Sequence, residues 1–307
     1  MTDCTTQQLL VAMSKDEGRE MGWIAVGKPP KKHDDPLQLF EMVEILKSKG
    51  IGIEADLTVR QTTGAEMGKE HQLKKKDVYN ANPPSQDMMA DLSDLDNLNE
   101  PCLLHTMRMR FCGGDLGGSE VKSLYCSFIG NILVSVNPFA PKKAWVDTFR
   151  DAYPKYLSAS PDVMSVKSLQ PHPWSVADLA YQEMLRDGTN QAVLICGESG
   201  SGKTEATKFV LQYLIGKKGS AIPGLEDALM ATSEPLESFG NAKTVNNDNS
   251  SRFAKCMQIC FNSEGQVAGA EIQTSLLEKS RVGAFFDGER NFHILYMVLR
   301  PRPPSSA

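Results

Sequence analysis

The stretch Gly197-Glu198-Ser199-Gly200-Ser201-Gly202-Lys203-Thr204 limits what this chain can fold into more than any other. It fits G-x-x-x-x-G-K-S/T, in which glycines let successive backbone N–H groups converge on one point and form an anion nest. Lys203 can reach terminal phosphate oxygens, and the Thr204 hydroxyl can hold Mg²⁺. The flanks suit the motif. Gln191 to Cys196 is a short apolar run of the kind buried in a parallel sheet. Lys203 to Ile215 carries Phe209, Val210, Tyr213 and Leu214 at helical spacing. The nest is therefore expected at a helix N-terminus, where the helix dipole adds to it. A nucleoside triphosphate is the expected ligand. The bland alternative, a glycine-rich surface turn with a solvated lysine, is opposed by this strand–loop–helix context.

The 307 residues are enough for two domains or one large one, and a hydrophobic content of 41% can fill a core. A net charge of −5 argues against broad electrostatic binding to nucleic acid. No apolar run is long enough to span a membrane, and the N-terminus has no secretory signal pattern. The seven cysteines are scattered without paired zinc-ligand spacing, so they are read as reduced thiols of a cytosolic protein.

Along the chain, residues 1–76 are expected to hold a small β-rich module, from the short mixed runs Phe40 to Leu46 and Ile51 to Val59. Asn80 to Gln86 reads as a linker. Leucines from Leu92 to Leu104 suggest a helical region around Asn99-Glu100-Pro101, and Gly113 to Gly118 a glycine-rich loop. Leu124 to Phe128 and Asn131 to Val136 predict strands, Trp174 to Leu185 a helix, and Leu225 to Phe239 a helix broken near Pro235. Phe253 to Phe261 and Gln266 to Ile272 flank a hairpin turn at Asn262 to Gly265. Arg290 to Leu299 predicts a last helix, and 300–307 an irregular proline-rich tail.

A second polar cluster follows the phosphate loop: Asn247-Asp248-Asn249-Ser250-Ser251-Arg252-Phe253. It offers hydroxyls for a metal, amides for phosphate oxygens and a cation beside them. Alone it would read as an Asx- and Ser-rich turn before a strand; after a strong phosphate loop, the functional reading is preferred.

Here the chain resembles the myosin motor domain. Gly197 to Lys208 looks like that family's P-loop, Asn247 to Lys255 its switch I, and Gly240-Asn241-Ala242-Lys243-Thr244 the usual lead-in. Asp91 to Leu95, Leu98 to Pro101, Asn131 to Phe139, Leu276 to Val282 and Gly288 to Ile294 are similar to further signature segments, in the same order. The resemblance covers 77–299, read as a partial motor domain, and residues 1–76 are similar, weakly, to the SH3-like module that precedes many myosin heads. Kinesins also carry Ser-Ser-Arg in switch I, but typically continue with Ser and His, where Phe253 and Ala254 stand here.

The resemblance implies an α/β fold: a P-loop NTPase motor core with a mostly parallel central sheet flanked by helices. It implies ATP and Mg²⁺ as ligands. The backbone of Gly197, Glu198, Ser199, Gly200, Ser201, Gly202, Lys203 and Thr204 would wrap the phosphates, with the Lys203 side chain on the β- and γ-oxygens. Thr204 and Ser251 would ligate Mg²⁺. Asn247 and Ser250 would contact the γ-phosphate and position water, with Arg252 beside them. Asn137, Pro138 and Glu205 would lie near base and ribose, and Trp145 stands where the family often has Tyr. Hydrolysis of ATP with force production on actin filaments, in the cytoplasm and cytoskeleton, is the implied role of the complete head. The family's switch II, an Asp-Ile-x-Gly-Phe-Glu-like segment, is not found; Asp115 to Gly118 has a D-x-x-G form but precedes the P-loop. Truncation before switch II is thus expected, with Arg252 lacking its usual glutamate partner. The alternative is a non-catalytic nucleotide-binding or interaction fragment.

Overall fold

The computed structural model describes residues 19–25, 39–64, 66–112, 125–138, 153–158 and 170–299. The glycine-rich stretch 113–118 with Asp115, together with Trp145 and the 300–307 tail, lies outside them. The chain divides into two compact units, Met1–Pro138 and Phe139–Ala307.

The first unit is built on β1 (Met21–Ala25), β2 (Phe40–Lys49), β3 (Asp56–Gln61), β4 (Glu70–Lys74) and β5 (Val78–Asn80), in the order β4-β3-β2-β1-β5. Its ladders are antiparallel, with Trp23 opposite Met42 and Val43 opposite Gln61. Alternation drives this. In β3, Leu57, Val59 and Gln61 are buried while Asp56 and Arg60 face water. Val43, Leu57, Val59 and Val78 close one core, with Ile24, Ile45 and Leu73 against it. Trp23 and Met42 form a second cluster with Cys102 from helix α1 (Glu100–Phe111). That helix starts where Asn99 accepts from the Cys102 N–H and Pro101 occupies the first turn. Near its end, buried Arg110 donates to Ser127 Oγ (2.9 Å) and to the carbonyls of Met88 (3.0 Å) and Cys126 (2.9 Å). The guanidinium thereby ties α1 to the hairpin β6 (Cys126–Ile129) and β7 (Ile132–Ser135).

In the second unit, helices and a long hairpin pack against the phosphate-loop helix. Helix α2 (Tyr153–Leu157) precedes α3 (Pro173–Asp187). Local chemistry sets both ends of α3. His172 and Ser175 form a reciprocal capping box, Pro173 fills the first turn, and Gly188 at φ 64° supplies the left-handed stop. Helix α4 (Lys203–Lys218) runs from the phosphate loop, and α5 (Leu225–Ala231) and α6 (Ser233–Gly240) divide at Thr232, just before Pro235. Strands β8 (Asn241–Thr244) and β9 (Asn247–Ser251) pair, as do β10 (Ala254–Phe261) and β11 (Val267–Ser275). Helix α7 (His293–Leu299) follows.

Two contacts hold α4. Ile215 packs with Leu229 and Val267, joined by Met257, Ile259 and Phe261 from the hairpin. On the α3 side, Lys217 Nζ lies 3.1 Å from the Asp178 carboxylate, and both side chains are buried. The Tyr213 hydroxyl donates to the same carboxylate and lies 3.1 Å from the Tyr156 carbonyl. Burial, and then the Asp178 charge, push the Tyr213 hydroxyl well above the usual phenol range.

The expected mostly parallel central sheet is not what forms. All four described sheets are antiparallel, and the only parallel pairings among the described residues are isolated bridges, Asp91 with Phe128 and Ser220 with Val267. Gln191 to Cys196, expected as a buried parallel strand, has no ladder; Leu194 is 88% exposed. A parallel strand exists only beside a neighbour brought in by a crossover connection, and the described residues place none there. What they do supply are strands that pair antiparallel, some of them across short turns, such as β6 with β7 and β10 with β11.

Candidate functional site

The loop from Gly197 to Gly202 turns tightly because its glycines permit it. Gly202 caps α4 at φ 96°, and Gly197 sits at φ 153°. A Cβ at Gly197 would also fall 2.6 Å from Ser201 Oγ, so any larger residue there would have to displace that hydroxyl. The loop ends on a helix of 16 residues, long enough to present a real dipole at its N-terminus. Lys203 curls back over the loop, its ammonium donating to the carbonyls of Gly197 (2.8 Å) and Glu198 (2.9 Å). Ser201 Oγ is buried with no hydrogen-bond partner among the described residues. Glu205 pairs with Lys208 one turn along, at 3.0 Å.

The polar cluster after the loop is a strand rather than a free turn. Asn241 pairs with Ser251 and Ala242 with Ser250, which places β9 against its own lead-in. Asn249 is the hub. Its side chain meets Asn241 (3.0 Å), Glu237 (3.1 Å) and His293 (3.1 Å). Asn247 accepts from the Asn249 N–H at 2.9 Å, fixing the strand's first bend.

Loop and strand meet. Ser199 Oγ and Ser250 Oγ are 2.8 Å apart, and a Cβ on Gly200 would lie 3.9 Å from Asn247 Cβ. The structure thus brings Gly197–Lys203 together with Asn247 and Ser250. Thr204 stands on the first turn of α4 and Ser251 at the end of β9. Asn137 and Pro138 close the first unit, after β7.

Arg252 is not left without a glutamate. Its Nε lies 2.6 Å from Glu278 Oε2, and the same oxygen is 2.7 Å from Arg281 Nε. Arg281 continues to Glu289 at 2.9 Å. The two arginines, Arg252 first, hold the Glu278 carboxyl below the usual carboxylate range. Sequence reasoning marked the Leu276–Val282 segment without assigning Glu278 a role. The available signal was the glutamate–arginine spacing of three, Glu278 to Arg281, which favours a local pair.

These residues fit a phosphate: a turn with three glycines at positive φ, a buried Ser201 hydroxyl without a partner among the described residues, a lysine over the rim and a helix N-terminus. For a metal, no group of three or more His, Cys, Asp or Glu able to hold one occurs among the described residues. Serine and threonine hydroxyls beside a phosphate are the donor set Mg²⁺ accepts, since it keeps waters and phosphate oxygens for its remaining positions. Among the described residues, no helix is long and apolar enough to cross a membrane.

The family model described as myosin head (motor domain) matches residues 89–306. Myosin-4 of Arabidopsis thaliana is 38% identical over 229 residues, 75% of this chain and 18% of that protein. The non-muscle myosin-2 heavy chain of Acanthamoeba castellanii is 39% identical over 276 residues, 90% of this chain and 17% of that protein. Myosin-1 of Arabidopsis thaliana is 40% identical over 225 residues, 73% of this chain and 18% of that protein. The chain therefore spans less than a fifth of these relatives. With a family match over most of its length and identities near two in five, the chain belongs to the myosin head (motor domain) family.

Proposed function

We propose that this chain is the nucleotide-holding part of a cytoskeletal motor head and that its own activity is to bind Mg·ATP. The carrying observation is the contact between Ser199 and Ser250, which sets the phosphate loop against the strand with the amide and hydroxyl groups. Backbone amides of Gly197 to Lys203 receive the phosphates, and Lys203 moves its ammonium from the loop carbonyls to the terminal oxygens. Thr204 and Ser251 hold Mg²⁺, which neutralises charge on the phosphates. Asn247 and Ser250 face the γ-phosphate, and Glu205 serves the ribose side.

Binding without turnover is favoured for the isolated chain because the Arg252 Nε is already engaged by Glu278. Hydrolysis and force on actin filaments, in the cytoplasm and cytoskeleton, belong in this reading to the complete head. Lys203→Ala is expected to weaken binding of a fluorescent ATP analogue by about 100-fold, as loss of a charge-assisted contact does. Equal affinity in the variant and the unaltered chain would refute the phosphate-loop assignment. Single-turnover assays with and without actin filaments separate binding from catalysis. A product burst accelerated by actin would replace the binding reading with a catalytic one.

A further inference from the structure

We propose that Glu278 is a positioning residue for this site, holding the strand after the phosphate loop in place through Arg252; this rests on the nucleotide-binding reading above. A continuous set of contacts carries the argument. Ser199 of the loop meets Ser250 Oγ at 2.8 Å, and Ser250 Oγ lies 3.4 Å from an Arg252 guanidinium nitrogen. Arg252 Nε donates to Glu278 Oε2 at 2.6 Å.

The backbone repeats the link. The Glu278 N–H donates to the Arg252 carbonyl at 2.9 Å, while the Arg252 N–H donates to the Gly240 carbonyl at 2.9 Å. Arg252 is therefore fixed by main chain on both sides and by its side chain at the tip.

Two features make Glu278 more than a surface partner. Its carboxylate also takes Arg281, whose side chain is 3% exposed and which donates further to the Arg290 carbonyl at 3.0 Å. The anchor beneath Glu278 is thus buried. Second, Leu276 turns the chain at φ 55°, a left-handed value that a branched side chain rarely adopts, and it does so although the side chain is 85% exposed. No core contact demands that corner. It ends β11 and delivers Glu278 to Arg252. Movement of the Lys279–Val282 turn would therefore be felt at Ser250.

The test uses the full chain, a fluorescent ATP analogue with Mg²⁺, and Glu278→Gln, which keeps shape and removes charge. Glu278→Gln is expected to speed analogue dissociation about tenfold, within the usual range of coupling between linked sites. In an Arg252→Gln background the same change should add less than about twofold, because the route is already cut. A purely stabilising glutamate would give equal decrements in both backgrounds and overturn the proposal. Amide exchange over 247–252, measured without nucleotide, supplies the second readout. Faster exchange there in Glu278→Gln supports the positioning role, and unchanged exchange overturns it, even if the unaltered chain binds no nucleotide. Absence of binding by the unaltered chain would refute the nucleotide reading separately.

Discussion

Replacing Asp178 by alanine is expected to lower the stability of the second unit by about 3–5 kcal/mol, the cost of stripping one partner from a buried ion pair. Asp178 is 1% exposed and receives Lys217 at 3.1 Å together with the Tyr213 hydroxyl. Its loss leaves a buried ammonium and a buried hydroxyl facing a hole. The pair itself is a smaller matter. Taking both charges out of water costs nearly as much as their attraction returns, so Asp178→Leu combined with Lys217→Met should recover most of the loss. Urea unfolding of the two variants tests this. If the double variant were as unstable as the single one, packing volume rather than orphaned charge would be the cause. Because Lys217 and Lys203 share helix α4, the single variant should also loosen the phosphate loop.

Acid should destabilise the same unit through His172. Its ring is fully buried against Tyr156, Trp174 and Phe209, and burial pushes its pKa down to about 3. Its Nδ1 also accepts the Trp174 N–H at 3.2 Å, a role protonation would end. In the unfolded chain the imidazole takes a proton near 6.5. Between these values the unfolded state binds more protons, so stability is unaffected above about 6.5 and falls as the pH drops. The slope approaches about 1.4 kcal/mol per pH unit, or about 2 kcal/mol lost by pH 5. His172→Asn keeps a cap acceptor without a titrating ring. It should be less stable at pH 7.5 but should unfold with one proton fewer taken up near pH 5. An unchanged proton uptake would show that His172 is not the group responsible.

What the sequence made legible was local. The helix expected over 174–185 occurs as Pro173–Asp187, and the hairpin turn at 262–265 joins β10 to β11, because caps, apolar spacing and turn residues act within a few residues. The phosphate loop belongs to the same class: its glycines specify its bend. Long-range choices were not legible. An apolar run such as Gln191 to Cys196 states a preference for burial but not which strand lies alongside, and here no described strand does. Helix α1 extends through Arg108 and Arg110, whose charges hide a buried helical face until Ser127 and two carbonyls are seen to receive the guanidinium. The Arg252–Glu278 pair spans a hairpin, and no spacing rule joins residues that far apart.

The posture of Lys203 has a consequence for selectivity. Its ammonium is solvated by two carbonyls of the loop it guards, so the loop carries its own internal counter-dipole. An incoming molecule must present a stronger field than a pair of amide oxygens before the side chain lets go. A bare nucleoside cannot do so, whereas a polyphosphate can. In the nucleotide-holding reading proposed above, the loop filters by charge before any base is read, and the lysine works as a threshold as well as a contact.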